Sequence, residues 1–187
     1  MVELSLHVLD IVQNSVEAEA RTIRVSVRDS LDENVIHLNI EDDGKGMDPD
    51  LTVRVSDPFF TTRTTRKVGL GIPLLKQVAE ASDGELTISS EIGKRTTVTA
   101  RFHRDHVDRP PLGDMAATIA VALATNPGIR FVYQHEGPGG EFVFDSMEVQ
   151  WVLGDVPVTD PAVVQWVKQY LRDRIKQAQG VDRFEVA

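Results

Sequence analysis

The chain opens on a helical pattern. Between Glu3 and Ala20 there is no Gly or Pro, and apolar residues recur every three to four positions. Thr22 to Arg28 then alternates through Ile23, Val25 and Val27, as a strand does, and Val35 to Ile40 alternates again after a turn-rich link at 29–34. A glycine-rich loop, Glu41 to Met47, follows the second strand. Residues 49–68 are polar, rich in threonine and without period, and read as a loop. Helical spacing resumes from Gly69 to Ala81, followed by strands at Glu85–Ser90 and Thr96–Phe102. Past a charged stretch ending in Pro110-Pro111, the pattern predicts a helix at Asp114–Ala124 and strands at Ile129–Gln134 and Glu141–Phe144 around a Gly137-Pro138-Gly139-Gly140 turn. A last helix starts at Thr159 or Asp160 as cap, with Pro161 in its first turn and a stripe of Val163, Val164, Val167, Tyr170, Leu171 and Ile175. This order divides the chain into a domain at 1–104, a linker at 105–112 and a small C-terminal α/β or α+β unit at 113–187. Trp151, Trp166 and Tyr170 of that unit are read as core or interface.

Composition narrows the class. The chain has 187 residues, 41% of them hydrophobic, and a formal net charge of -9, which disfavours nucleic acid and anionic membrane as partners. There is no cysteine, so disulfides and thiolate metal sites are excluded. The start, Met1-Val2-Glu3-Leu4, lacks a basic signal-peptide region, and the longest apolar run, Met115–Ala124, is about half a membrane span. A cytoplasmic protein is expected.

Four stations carry chemistry. On the first helix, His7, Asp10, Asn14 and Ala18 share one face, opposite Leu4, Val8, Ile11, Val12 and Val16. The Asn14 amide oxygen is a hard ligand suited to magnesium, and the Asp10 carboxylate can accept a proton or position a water. The second is Asp42-Asp43-Gly44-Lys45-Gly46-Met47, where the glycines permit a tight loop and Asp42 can accept from an exocyclic amine. The third, Asp57-Pro58-Phe59-Phe60-Thr61-Thr62-Arg63, sets an aromatic foothold in a polar loop, with Thr64, Thr65, Arg66 and Lys67 after it. The fourth, Gly69-Leu70-Gly71, opens a helix and so offers free N–H groups to phosphate, with Pro73 in the first turn.

In this order and spacing, the stations resemble the GHKL superfamily of DNA gyrase, heat-shock chaperone ATPases, histidine kinases and mismatch-repair ATPases. Asp10-Ile11-Val12-Gln13-Asn14-Ser15 resembles its N box, Asp42–Gly46 its first glycine box, Asp57–Arg63 the F box of histidine kinases and Gly69-Leu70-Gly71-Ile72 its second glycine box. Asp83–Leu86 with Ile92–Thr97 resembles the closing hairpin. The resemblance covers about residues 3–103. It implies an α+β, Bergerat fold: a two-layer sandwich of a mixed sheet with helices on one face. It implies ATP with Mg2+, the metal held by Asn14. Asp42 would bind the adenine amine, and Gly44 and Gly46 would shape the pocket, with Thr96 behind it. Gly69, Leu70 and Gly71 would contact phosphates, Phe59 and Phe60 would anchor a lid, and Thr62 would belong to the nucleotide site.

There are departures. Lys67 and Arg95 stand where the family has glycine. Asp10 replaces the glutamate of the hydrolytic branch and is the candidate catalytic residue, for slow hydrolysis or for phosphoryl transfer. None of His7, His37, His103, His106 and His135 sits in a His-box context, so a separate phosphoacceptor is expected; His7 is read as tuning the site or capping the helix. Two functions follow from the resemblance: an ATP-dependent protein kinase acting on a partner protein in signalling, and an ATP-gated interaction module with slow or no hydrolysis.

Overall fold

The computed structural model describes residues 3–55 and 71–180. Six strands form one mixed sheet in the order β3-β4-β2-β1-β5-β6, comprising β1 (Thr22–Ser30), β2 (Val35–Asp42), β3 (Glu85–Glu91), β4 (Arg95–His103), β5 (Arg130–Gly137) and β6 (Gly140–Asp145). Neighbours are antiparallel except β1 and β5, which run parallel from Thr22↔Arg130 to Arg28↔Glu136.

The strand period of two decides the layers. In β1, Ile23, Val25 and Val27 are buried while Arg24 and Arg28 are exposed. Helices α1 (Leu4–Glu17), α3 (Gly71–Ala81), α4 (Met115–Thr125) and α6 (Pro161–Gln179) cover the apolar face: α1 lies on β2, α3 on β3 and β4, α4 on β5, and α6 on β5 and β6. The opposite face is polar and carries cross-strand pairs such as Arg24–Glu41 at 4.0 Å, Arg28–Glu136 at 3.4 Å and Arg101–Glu85 at 3.8 Å. Exposed pairs of this kind contribute at most about 1 kcal/mol each. Leu4, Val8, Ile11 and Val12 plant α1 in the core, each side chain worth roughly 1.5–3 kcal/mol on burial. The two-layer architecture expected from the resemblance is therefore present.

The C-terminal half differs from expectation. It is not a separate unit behind a linker, because β5 extends the same sheet and Phe131 and Tyr133 join the same buried cluster as Leu4 and Phe102. Without β5, the backbone N–H and C=O groups along one side of β1 would lack ladder partners. The stretch read as linker also has a structural task. The carbonyls of Pro111 and Leu112 accept from the N–H groups of Leu4 and Ser5, each at 3.0 Å, and so close the open start of α1. Two short helices were not expected: α2 (Pro49–Arg54), capped by Asp48, whose carboxylate accepts from Leu51 N–H at 2.8 Å, and α5 (Ser146–Leu153), capped by Asp145. The last helix is capped by Asp160 rather than Thr159, and its Arg172 pairs with Asp114, the cap of α4, at 2.7 Å. Among the described residues no helix is long and apolar enough to cross a membrane.

Candidate functional site

The helix α1 brings the first station to the edge of the core. Asp10 is exposed and Asn14 half-buried on neighbouring turns, the spacing at which side chains meet on one face. Gly71, the first residue of α3, abuts Asp10. A β-carbon at Gly71 would lie 2.8 Å from Asp10 Cβ, so only glycine lets the start of α3 come this close. Asp10 thus stands directly against Gly71, where α3 begins among the described residues. Gly69 and Leu70, the rest of this station, and Phe59, Phe60 and Thr62 of the aromatic loop lie outside the described residues.

His7, expected on the pocket face, is buried at 3% exposure, and its Nε2 has no hydrogen-bond partner. Burial holds its imidazole below the ordinary value, opposed by the Asp10 charge. It is a neutral ring behind the site rather than a group on its surface.

The second station forms a buried polar island. Asp42 ends β2 at 6% exposure. Ser15 Oγ donates to its Oδ2 at 2.7 Å, and Gly44 N–H donates to its Oδ1 at 2.9 Å. Two contacts hold the carboxylate still while leaving lone pairs for a further donor. Across the β2–β4 ladder, Asp42 is paired with Thr96, also buried, whose hydroxyl meets Ser90 Oγ at 2.9 Å. Ser90 in turn accepts from Met47 N–H at 2.8 Å. Ser15 and Ser90 were not singled out in the sequence. Ser15 follows Asn14 and points about 100° around the helix from it, toward the strand end. Ser90 carried no local signal, because only its pairing with Thr96 places it here.

The glycine loop is wedged between α1 and the β3–β4 turn. Lys45 N–H donates to Ala18 O at 2.9 Å, and Gly93 N–H donates to Lys45 O at 2.8 Å. Gly46 has φ of 66°, and a β-carbon there would lie 2.1 Å from Glu91 O. Gly44 is also tight, with Ala18 O at 2.7 Å from the same position. Asp43 accepts from Arg21 and Thr22 N–H at 2.7 and 2.8 Å. Burial pushes its carboxyl up, but these bonds outweigh it and hold the group below its ordinary value.

Asp10, Asn14 and Gly71 are therefore gathered at one place, and Asp42, Gly44, Gly46 and Thr96 at another along the same helix. A rigid buried acceptor beside a hydroxyl suits a ligand amine, and the start of α3 suits phosphate. No group of three or more His, Cys, Asp or Glu among the described residues is disposed to hold a metal ion.

The comparisons with known proteins agree with this geometry. A family model described as histidine kinase-, DNA gyrase B-, and HSP90-like ATPase matches residues 2–106. Sporulation kinase E of Bacillus subtilis is 32% identical over 90 residues, which are 47% of this chain and 12% of that protein. Sensor protein kinase FleS of Pseudomonas aeruginosa is 38% identical over 92 residues, 49% of this chain and 23% of that protein. The chain thus spans less than a quarter of these relatives. Among solved structures, the N-terminal domain of a DNA repair protein superposes with a TM-score of 0.56 at 19% identity, covering 76% of this chain and 52% of that one. That likeness concerns the fold alone.

Proposed function

This chain belongs to the histidine kinase-, DNA gyrase B-, and HSP90-like ATPase family, and on that premise we propose that it binds ATP with magnesium and passes the γ-phosphoryl group to a separate protein in signalling. The observation that supports this most directly is the clamp on Asp42, held by Ser15 and Gly44 beside Thr96. The adenine amine donates to Asp42, with the Thr96 hydroxyl behind it through a water. Gly44 and Gly46 let the loop backbone lie against the purine. Gly69, Leu70 and Gly71 donate backbone N–H groups to the phosphates. Phe59, Phe60 and Thr62 are assigned to the nucleotide site on the resemblance of their motif alone.

Asn14 would hold the magnesium ion, which would supply charge neutralisation to the phosphate oxygens. Asp10, placed against Gly71, orients the incoming acceptor and takes up its proton where that acceptor carries one. The bond from the γ-phosphorus to its bridging oxygen breaks as the bond to the acceptor forms, and ADP leaves. Little covalent help is needed beyond this positioning. The sensor-kinase relatives favour transfer over simple hydrolysis.

A second reading is an ATP-gated interaction module. It is favoured by the continuity of the sheet, which joins β5 and β6, beyond the family match, to the nucleotide-binding half. Incubation with γ-labelled ATP and magnesium, alone and with copurifying proteins, separates the two. Label on a partner establishes the kinase and identifies its substrate, with Asn14→Ala losing both label and magnesium-dependent binding. Nucleotide binding with no label transferred establishes the module.

A further inference from the structure

The helix α5 follows β6 outside the family match and packs on β5 with one side only. Val149 and Leu153 turn toward the core, and Ser146 Oγ accepts from Phe131 N–H at 2.9 Å, which fixes the helix start. The other side faces solvent and carries three large apolar residues together with Glu148. Trp151 is 86% exposed, Val152 78% and Met147 53%. Met147 and Trp151 are four positions apart and share one face, with Val152 exposed next to Trp151. A tryptophan left almost wholly in water is costly, and tryptophan is the residue type most enriched where interfaces concentrate their energy.

The charge around this surface says what covers it. From Glu141 to Asp160 the chain has five acidic residues and no Lys, Arg or His. Asp145 is neutralised by Arg130, but Glu148 lies on the exposed side of α5, and Asp155 is exposed just past its end. An anionic lipid surface or nucleic acid would be repelled here. A second copy packed two-fold on the same surface would bring Glu148 toward its own counterpart. A cationic segment has neither problem, and its Lys or Arg can sit over the Trp151 ring while its apolar side meets Val152 and Met147.

We propose that the outer face of α5 is a docking surface for a basic, apolar-faced helical segment of a partner protein. The test uses the full chain and a synthetic amphipathic helix with a leucine face and a lysine face, alongside the same peptide with glutamate for lysine. The chain has two tryptophans, so Trp166→Phe leaves Trp151 as the reporter. The lysine peptide is expected to shift Trp151 emission to the blue. By labelled-peptide anisotropy, Trp151→Ala should bind it at least about 30-fold more weakly. Glu148→Lys should weaken it about 10-fold. Because these side chains are exposed, both variants should keep the parent melting temperature. The proposal is overturned if Trp151→Ala binds as the parent does, if the glutamate peptide or anionic vesicles bind as well, or if sedimentation shows a dimer that Trp151→Ala dissolves.

Discussion

Replacing Asp42 by asparagine tests the nucleotide site at its most constrained point. In the parent, Oδ1 takes the Gly44 N–H at 2.9 Å and Oδ2 takes the Ser15 hydroxyl at 2.7 Å. A backbone N–H can only donate, so the single oxygen of the introduced amide must occupy the Gly44 side. The amide nitrogen then faces Ser15, whose oxygen can accept. The clamp survives in outline, and the melting temperature should fall only slightly. What is lost is the charge and one accepting edge. A hydrogen bond to a charged group contributes about 1.5–3 kcal/mol, so ATP affinity should fall about 10- to 150-fold. The assay is calorimetric titration with ATP and, in parallel, with inosine triphosphate. The latter carries a carbonyl where adenine carries the amine. It meets a repelling carboxylate in the parent and a donor in the variant, so its affinity should hold or improve. Two results would refute the reasoning: ATP binding equal to the parent, or an equal loss for both nucleotides, which would mean general damage rather than a lost acceptor.

Three other expectations follow from the same geometry. Gly46→Ala should destabilise the chain by at least about 1–3 kcal/mol and weaken ATP, because its β-carbon would overlap Glu91 O at a positive φ; thermal melting and nucleotide titration read both, and no change in either contradicts the loop packing. Asp10→Asn keeps shape at an exposed position, so melting and ATP binding should persist while phosphoryl transfer or hydrolysis drops about 10²–10⁴-fold; unchanged turnover removes Asp10 from the chemistry. His135 is fully buried against Phe142 and bonded to Tyr133 Oη at 2.8 Å, and burial pushes its imidazole from the ordinary 6.5 down to about 4, opposed by the Asp29 charge. The folded state therefore prefers the neutral ring. Its contribution is complete above about pH 6.5 and is lost as pH falls from there toward about 4, on the order of 3 kcal/mol in all. Urea unfolding near neutral pH and near pH ~4.5 should show that loss in the parent and a smaller one in His135→Gln; equal losses would place the acid sensitivity elsewhere.

Much of this molecule is legible in its sequence, for reasons that are local. Alternation through Ile23, Val25 and Val27 marks β1, and the cap at Asp160 with Pro161 marks α6, because period and capping depend on neighbours along the chain. The glycines at 44 and 46 and the residues Asp10, Asn14 and Asp42 stand out because their spacing resembles a known family. Other features depend on what arrives from far along the chain. Strand alternation at 130–137 says that β5 exists but not that it lies beside β1, since pairing is settled by which edge lacks partners. Helical spacing put His7 with Asp10 and Asn14, yet packing buried it, because a position between the wet and apolar faces of a helix takes its environment from its neighbours. Ser90 joins the site only through the β3–β4 ladder and the Met47 N–H. The outward face of α5 is the sharpest case. Its apolar residues are ordinary in sequence, and only the fold reveals that no described part of the chain covers Trp151. The sequence by itself determined the strands, the four long helices and the motif positions, through forces acting within a few residues, while the short helices α2 and α5 escaped it. The tertiary structure decided which polar groups meet and which apolar ones stay wet, because burial is a property of surfaces brought together from distant parts of the chain.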